Sequence, residues 1–134
     1  MPRMIFVNLP VKNLDRSMEF FKKLGFSFNP QFTDETAACM VISDTIFAML
    51  LTEAKFKEFT SKPIADANTT TEVLTALSAD SKDEVNRLVD AALAGGATEA
   101  REPMDYGFMF GRSFNDLDGH IWEVIWMDPS QIQQ

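Results

Sequence analysis

The sequence contains a single cysteine, a single histidine and no long apolar run. Because Cys39 has no possible partner within the chain, an intrachain disulfide is excluded and a reducing compartment is expected. No stretch approaches the roughly eighteen consecutive apolar residues of a membrane-spanning helix, and residues 1–4 lack the apolar core of a signal peptide. We therefore expect a soluble, cytoplasmic protein that has no membrane partner.

Basic residues are also scarce, which bears on the kind of partner. The chain carries 12 Lys and Arg against 20 Asp and Glu, a formal net charge of -8. Proteins that bind nucleic acid neutralise phosphates with clustered Lys and Arg, and this sequence has no such cluster. The 134 residues are enough for one compact core. We therefore expect no nucleic-acid partner and a single small domain.

The first half of the chain predicts a strand, a helix and three further strands. Residues 4–11 are apolar and β-prone, and Asn13 is a suitable N-cap for the helix that follows. One apolar stripe runs along this helix, formed by Leu14, Met18, Phe21 and Leu24. Gly25 can end it in the left-handed conformation. Three shorter β-prone segments come next, at residues 27–31, 37–43 and 46–52.

The same order recurs in the second half. The segment from Ser81 to Glu84 is a capping box, and the helix that it opens ends at Gly95-Gly96. Four strands are predicted around it, at residues 72–79, 98–102, 108–114 and 120–127. The predicted fold class is therefore α+β, with two tandem βαβββ modules at about 1–60 and 72–134. A polar linker of about 61–71 joins them, and 53–60 can form a short helix.

Glu123 is a carboxylate among apolar residues on a predicted strand. Burying it is costly unless a metal, a cation or hydrogen-bond donors meet it. If the preceding turn is centred on Leu117-Asp118, antiparallel register places Arg112 opposite Glu123 and Phe110 on the same face. The predicted pair either orients a polar or anionic ligand or is a plain cross-strand ion pair.

Motifs at both ends of the chain resemble those of one superfamily. They are the stretch Val7 to Ser17, the groups Phe20-Phe21 and Leu24-Gly25-Phe26, and Asp116 to His120 together with Glu123. With these motifs the chain resembles the vicinal oxygen chelate superfamily, which includes glyoxalase I, extradiol dioxygenases, methylmalonyl-CoA epimerase, and bleomycin and fosfomycin resistance proteins. The resemblance covers essentially the whole chain. It implies a single domain, residues 1–134, whose mixed sheets curve into a cup with the helices outside, usually in a homodimer.

Metal-dependent members of this superfamily place one ligand on the first strand and one on the last strand of each module. The matching positions are Phe6, Leu50, Leu74 and Glu123. Of these, Glu123 alone can bind a metal. If the alignment is shifted by two positions, Asn8 and Thr52 offer weak neutral oxygens. Glu53 and Glu72 could bind a metal only if their strands were shifted. The resemblance therefore implies neither a metal site nor a cofactor in this chain.

The resemblance leaves two functions open. The first is metal-independent binding of a small, partly apolar molecule by residues of the cup, namely Phe6, Asn8, Leu50, Leu74, Tyr106, Phe110, Arg112 and Glu123. Tyr106 covers the ligand or simply packs. The alternative is a glyoxalase-like lyase, isomerase or epimerase that uses Glu123 as a base and Arg112 as a stabilising charge. His120 and Cys39 are expected to be structural.

Overall fold

The computed structural model describes residues 2–131, which form three α-helices and nine β-strands. The helices are α1 Leu14–Lys23, α2 Glu53–Phe56 and α3 Lys82–Ala94. The strands are β1 Ile5–Val11, β2 Ser27–Phe28, β3 Ala37–Val41, β4 Ile46–Thr52, β5 Leu74–Ser78, β6 Thr98–Glu99, β7 Met104–Asp105, β8 Met109–Asn115 and β9 Ile121–Met127. The predicted α+β class and the repeated strand-helix order are confirmed.

The chain forms two compact units, and the boundary between them lies between Ala65 and Asp66, inside the predicted linker. The predicted modules also include residues 1 and 132–134, which lie outside the described residues. Between residues 2 and 131, no helix combines the length and the apolar character needed to cross a membrane.

In the first unit, a four-stranded sheet has the order β1-β4-β3-β2, with β1 parallel to β4 and the other pairs antiparallel. The helix α1 packs against β3 and β4. Asn13 caps this helix as predicted, since its side-chain oxygen accepts a hydrogen bond from the backbone N of Arg16 at 3.0 Å. Leu9, Met40 and Leu50 are buried on one face of the sheet, so the core of this unit lies on that face.

In the second unit, the sheet has the order β5-β9-β8-β6, and β7 also pairs with β8. The helix α3 packs against β8 and β9. Ser81 caps it as predicted, because its hydroxyl accepts a hydrogen bond from the backbone N of Glu84 at 3.0 Å. Trp122 and Val124 on β9 are fully buried together with Val85 and Val89 of α3. This core lies on the α3 side of the sheet.

Several predicted strands are shorter than expected, and two of them are reduced to two residues. The strand predicted at 27–31 ends at Phe28, because Asn29 caps a 3₁₀ turn over Pro30–Phe32 with its side chain. The strand predicted at 98–102 is cut to Thr98–Glu99, and the chain re-enters the sheet beyond Pro103 as β7, which the sequence did not predict.

Candidate functional site

The register of the β8–β9 hairpin decides which side chains accompany Glu123. Ser113 lies opposite Glu123, and Arg112 lies opposite Val124. The last strand pair is Asn115 with Ile121, so the loop contains the five residues 116–120 rather than a tight turn centred on 117 and 118. The register is therefore one residue away from the predicted one. Because neighbouring residues of a strand point to opposite faces, the predicted pairing of Arg112 with Glu123 is wrong.

Asp116 explains the longer loop. One carboxylate oxygen, Oδ1, accepts hydrogen bonds from the backbone N atoms of Asp118 and His120, and Oδ2 accepts one from the indole N of Trp122 at 2.9 Å. Burial raises the pKa of Asp116, while His120 and these three donors oppose that rise. Asp116 thus ties the loop to a buried tryptophan of β9, and this contact between elements has no signature in the local sequence.

Arg112 faces α3. Its guanidinium donates to Asn86 at 3.0 Å, to Asp90 at 2.8 Å and to Glu99 at 3.1 Å, and 11% of its side chain is exposed. Burial disfavours its charge, but the bonds to Asp90 and Glu99 outweigh that effect and raise the pKa of Arg112. Arg112 therefore ties α3 to the sheet and does not share a face with Glu123.

Phe110 lies on the same side as Arg112. Its strand partner is Trp126. The ammonium of Lys82, the first residue of α3, lies 5.9 Å from the Phe110 ring centre and 5.5 Å from that of Trp126, within the range of cation–π attraction. The prediction that Phe110 and Glu123 share one wall is therefore wrong.

The cation that meets Glu123 is Arg101. One guanidinium nitrogen, Nη2, lies 3.1 Å from Oε2 of Glu123, and the two side chains are 39% and 15% exposed. Arg101 follows β6 in a segment without regular structure. The two residues are 22 positions apart, so hairpin register alone gives no sign of this pair.

We call the side of the second sheet opposite α3 the Glu123 face. Strand register places on it Leu74, Ala76, Ser78, Gly111, Ser113, Ile121, Glu123, Ile125 and Met127. A cavity of about 310 Å³ lies at this face, lined by Ala76, Leu77, Ser78, Ala79, Ile125 and Met127. Glu123 is not one of the lining residues, but its strand partner Ala76 is, so Glu123 lies next to the cavity wall. Leu74, one of the predicted ligand contacts, shares this face and is 57% exposed.

Tyr106 lies between β7 and β8. Its ring stacks on Phe108 with the ring centres 6.4 Å apart, and both side chains are exposed. A role for Tyr106 as a ligand cover stays a prediction. Cys39 is buried on β3, and burial raises the pKa of its thiol, which disfavours the nucleophilic thiolate.

In the first unit, Phe6 and Asn8 lie on the same side of β1, where the Phe6 ring stacks on Phe47 with centres 4.9 Å apart. Leu50 pairs with Leu9 and is fully buried on the opposite side of this sheet. Leu50 therefore does not share a face with Phe6 as the prediction required, and Met49 stands beside Asn8 instead. Ligand binding by Phe6 and Asn8 stays a prediction.

The side chains at the metal positions do not fit a divalent ion. In the first unit these positions carry the hydrocarbon side chains of Phe6 and Leu50, and the corrected register substitutes a thioether at Met49. In the second unit, Leu74 offers no donor and Glu123 offers a carboxylate that Arg101 already contacts. Within the described range, no group of three or more His, Cys, Asp or Glu side chains is arranged to hold a metal.

Comparisons with known proteins agree with this architecture. Residues 3–43 match the family of bleomycin resistance protein-like N-terminal sequences. No curated protein matches the chain in sequence. A hypothetical protein from S. aureus is 27% identical, with a TM-score of 0.78 and coverage of 94% of this chain and 95% of its own.

Two further solved structures are more distant. A glyoxalase/bleomycin resistance protein/dioxygenase family enzyme from Burkholderia phytofirmans is 15% identical, with a TM-score of 0.76 and coverage of 94% and 99%. Fosfomycin resistance protein FosX from Mesorhizobium loti is 15% identical, with a TM-score of 0.66 and coverage of 98% and 94%. The resemblance to the vicinal oxygen chelate superfamily is thus confirmed at the level of the fold: the chain has the glyoxalase-like fold, and residues 3–43 are similar in sequence to the bleomycin resistance protein-like family.

Proposed function

We propose that this protein binds a small, partly apolar molecule at the Glu123 face without the help of a metal. The observation that supports this most strongly is the cavity of about 310 Å³ beside Glu123, whose lining is mainly apolar. Cavities of about this size that combine apolar walls with a few polar groups are typical of small-molecule sites. Ala76 and Ser78 are exposed at its rim, which allows entry from solvent.

A polar anchor borders the apolar cavity. At one edge Glu123 offers a carboxylate acceptor, which the exposed guanidinium of Arg101 contacts. An apolar cavity alone supplies affinity with little orientation, whereas a charged group at its edge fixes the direction in which a ligand lies. The predicted role of Glu123 as a ligand contact is kept in this proposal, and the cation that contacts Glu123 is Arg101 instead of Arg112.

The enzymatic alternative depends on the same carboxylate. A glyoxalase-like lyase, isomerase or epimerase would use Glu123 as its base, and its partial burial next to a cavity favours this role. Arg112 cannot serve as the stabilising charge, because it faces α3. Glu123→Gln should then abolish turnover while the folded protein persists, so turnover that survives this substitution rules the alternative out.

Methyl NMR spectra test the binding proposal directly. During titration with a library of apolar and amphipathic molecules, we expect at least one compound to shift the methyl signals of Ala76, Ile125 and Met127 saturably. The methyl of Ala92 serves as the control, since Ala92 is buried on α3 at the other side of the sheet. Saturable binding that shifts Ala92 and leaves the cavity methyls unchanged, or no saturable binding at all, contradicts the proposal.

The proposed setting is a homodimer in the cytoplasm. The lone Cys39 suits a reducing compartment. Exposed apolar side chains on two strands at the edges of their sheets, Ile5 on β1 and Leu74 on β5, suit a subunit interface. Light scattering after size-exclusion chromatography should give twice the mass of the 15.1 kDa chain, and a monomer at every concentration contradicts this part of the proposal.

A further inference from the structure

The pair of Arg101 and Glu123 crosses the strand that carries Ser113. In the second sheet, β8 lies between β6 and β9. Arg101 follows β6, whereas Glu123 belongs to β9, so their contact at 3.1 Å requires the arginine side chain to pass over β8. Ser113 is the residue beneath it, because it lies opposite Glu123 on one side and its carbonyl accepts a hydrogen bond from the N of Ala100 on the other.

Ser113 has a polar atom that the protein leaves unused. The residue is 1% exposed, and among the described residues its hydroxyl oxygen has no hydrogen-bond partner. A buried hydroxyl normally finds a partner, because it can both donate one hydrogen bond and accept others. Strand register places the Ser113 side chain on the Glu123 face. An unused acceptor and donor thus lies next to the carboxylate and under the guanidinium.

The Arg101 guanidinium can be displaced from Glu123. Its side chain is 39% exposed, and it stands in a segment without regular structure. Water can therefore solvate the guanidinium when it leaves Glu123, and an exposed arginine of this kind contributes little to stability. Its departure places a carboxylate and a hydroxyl side by side at the edge of the apolar cavity, and both can accept a hydrogen bond from the same donor group.

We propose that the ligand of this site is an organic cation whose ammonium or amidinium group replaces the Arg101 guanidinium on Glu123. The group donates to the Glu123 carboxylate and to the Ser113 hydroxyl, and an apolar body fills the cavity beside Ala76 and Ile125. This inference rests on the proposed binding function and names its ligand class. The net charge of -8 attracts cations to the protein, whereas an anionic ligand would have to approach the Glu123 carboxylate.

Three probes of matched size test the ligand class: phenethylammonium, phenethyl alcohol and phenylacetate. Their affinities are measured by titration of the Ala76 and Ile125 methyl signals in the wild type, Arg101→Ala, Glu123→Gln and Ser113→Ala. Arg16→Ala, on α1 of the first unit, is the control for the loss of one positive charge. The Ala92 methyl signal and the thermal unfolding midpoint establish that each variant is folded.

The variants are expected to change the affinity for phenethylammonium in different directions and by different amounts. Phenethylammonium should bind the wild type about tenfold more tightly than the other two probes, since one charge-assisted hydrogen bond is worth about that factor. Arg101→Ala should strengthen its binding about twofold, because the competing cation is gone, and Arg16→Ala should not. Glu123→Gln should remove the preference for the ammonium, and Ser113→Ala should weaken ammonium binding by about fivefold.

Other outcomes overturn the inference. Equal binding of the three probes, tighter binding of phenylacetate, or weaker ammonium binding in Arg101→Ala shows that Arg101 is not a competitor for the ligand's place. In these cases the cavity methyls still respond, so the proposed binding function stands while the cationic ligand class falls. If none of the probes shifts these methyls in the wild type or in Arg101→Ala, the cationic class is also excluded, and the wider library decides the binding function separately.

Discussion

At the scale of single residues, the two arginines near Glu123 have opposite roles. Arg112 is 11% exposed and bonds to three partners on α3 and β6, whereas Arg101 is 39% exposed and bonds to Glu123. A buried guanidinium that satisfies several acceptors stabilises the fold, because its removal leaves those acceptors unpaired and a space in the packing. A half-exposed one is free to serve binding. Substitution of Arg112 should therefore affect mainly stability, and substitution of Arg101 should affect mainly binding.

Arg112→Ala should lower the free energy of unfolding by about 2 kcal/mol, because it removes two hydrogen bonds to α3 and one to β6. The matched variant Arg101→Ala should change it by less than about 0.5 kcal/mol. Urea unfolding followed by tryptophan fluorescence measures both. Equal losses in the two variants would mean that the arginines do not differ in the way that their contacts indicate.

The sequence identified Glu123 as the residue that needs a partner but assigned the wrong one. The assignment depended on the turn, and one extra residue in the turn moves every side chain of β8 to the other face. Arg101, 22 residues away, was out of reach of any local pattern. The error in the turn also hid Ser113, because its position opposite Glu123 follows from the actual register. The position of Leu74 does not depend on the register between β8 and β9, and its place on the Glu123 face agrees with the prediction.

At the scale of elements, the loop between β8 and β9 depends on contacts beyond itself. Gly119 has a φ of +90°, and a Cβ built there would lie 2.6 Å from Oδ1 of Asn68 and 2.9 Å from the backbone of Ala67. The segment that opens the second unit therefore passes directly over the loop. Gly107 also has a positive φ, +80°, but a Cβ there would meet no atom within 4 Å.

These two glycines form a matched pair for one prediction. Gly107→Ala should cost about 1 kcal/mol, because only the backbone conformation is disfavoured. Gly119→Ala should cost about 3 kcal/mol or more, since the backbone of Ala67 must also move. Unfolding in urea measures the two values. If both variants lose the same amount, the close approach of residues 67 and 68 to the loop is refuted.

Most helices and strands were predicted because their signals are local. Asn13 and Ser81 cap their helices through side-chain bonds to residues three positions later, and such spacing is visible in any sequence. The strand β7 and the five-residue loop were not predicted, because they depend on tertiary contacts. Asp116, for example, takes its place through the indole of Trp122, a residue of the following strand.

At the scale of the whole molecule, we expect the two units to unfold together. Each has fewer than 70 residues, and a domain of that size is usually only marginally stable by itself. Cys39 is buried in the first unit, while Trp122 and Trp126 belong to the second. Alkylation of the Cys39 thiol and tryptophan fluorescence should therefore report one coincident unfolding transition in urea. Two separate midpoints would show that the units are independent domains.

Elemental analysis tests the absence of a metal function. Protein purified without chelator should contain no stoichiometric Ni, Zn or Mn, because Phe6, Leu50 and Leu74 offer no donor atoms at three of the four superfamily positions. Glu123→Gln, which removes the remaining donor, serves as the control for adventitious metal. One equivalent of metal in the wild type that is lost in Glu123→Gln contradicts the proposal of metal-independent binding.

The central claim is that the Glu123 face of the second unit is the binding site. A crystal structure of the protein soaked with the tightest ligand from the methyl titrations tests this claim most directly. We expect the apolar part of the ligand to lie between Ala76 and Ile125, and its polar group to lie within hydrogen-bond distance of Glu123. A ligand bound on the α3 side of the sheet near Arg112, or one that makes no contact with the Glu123 face, would contradict the claim.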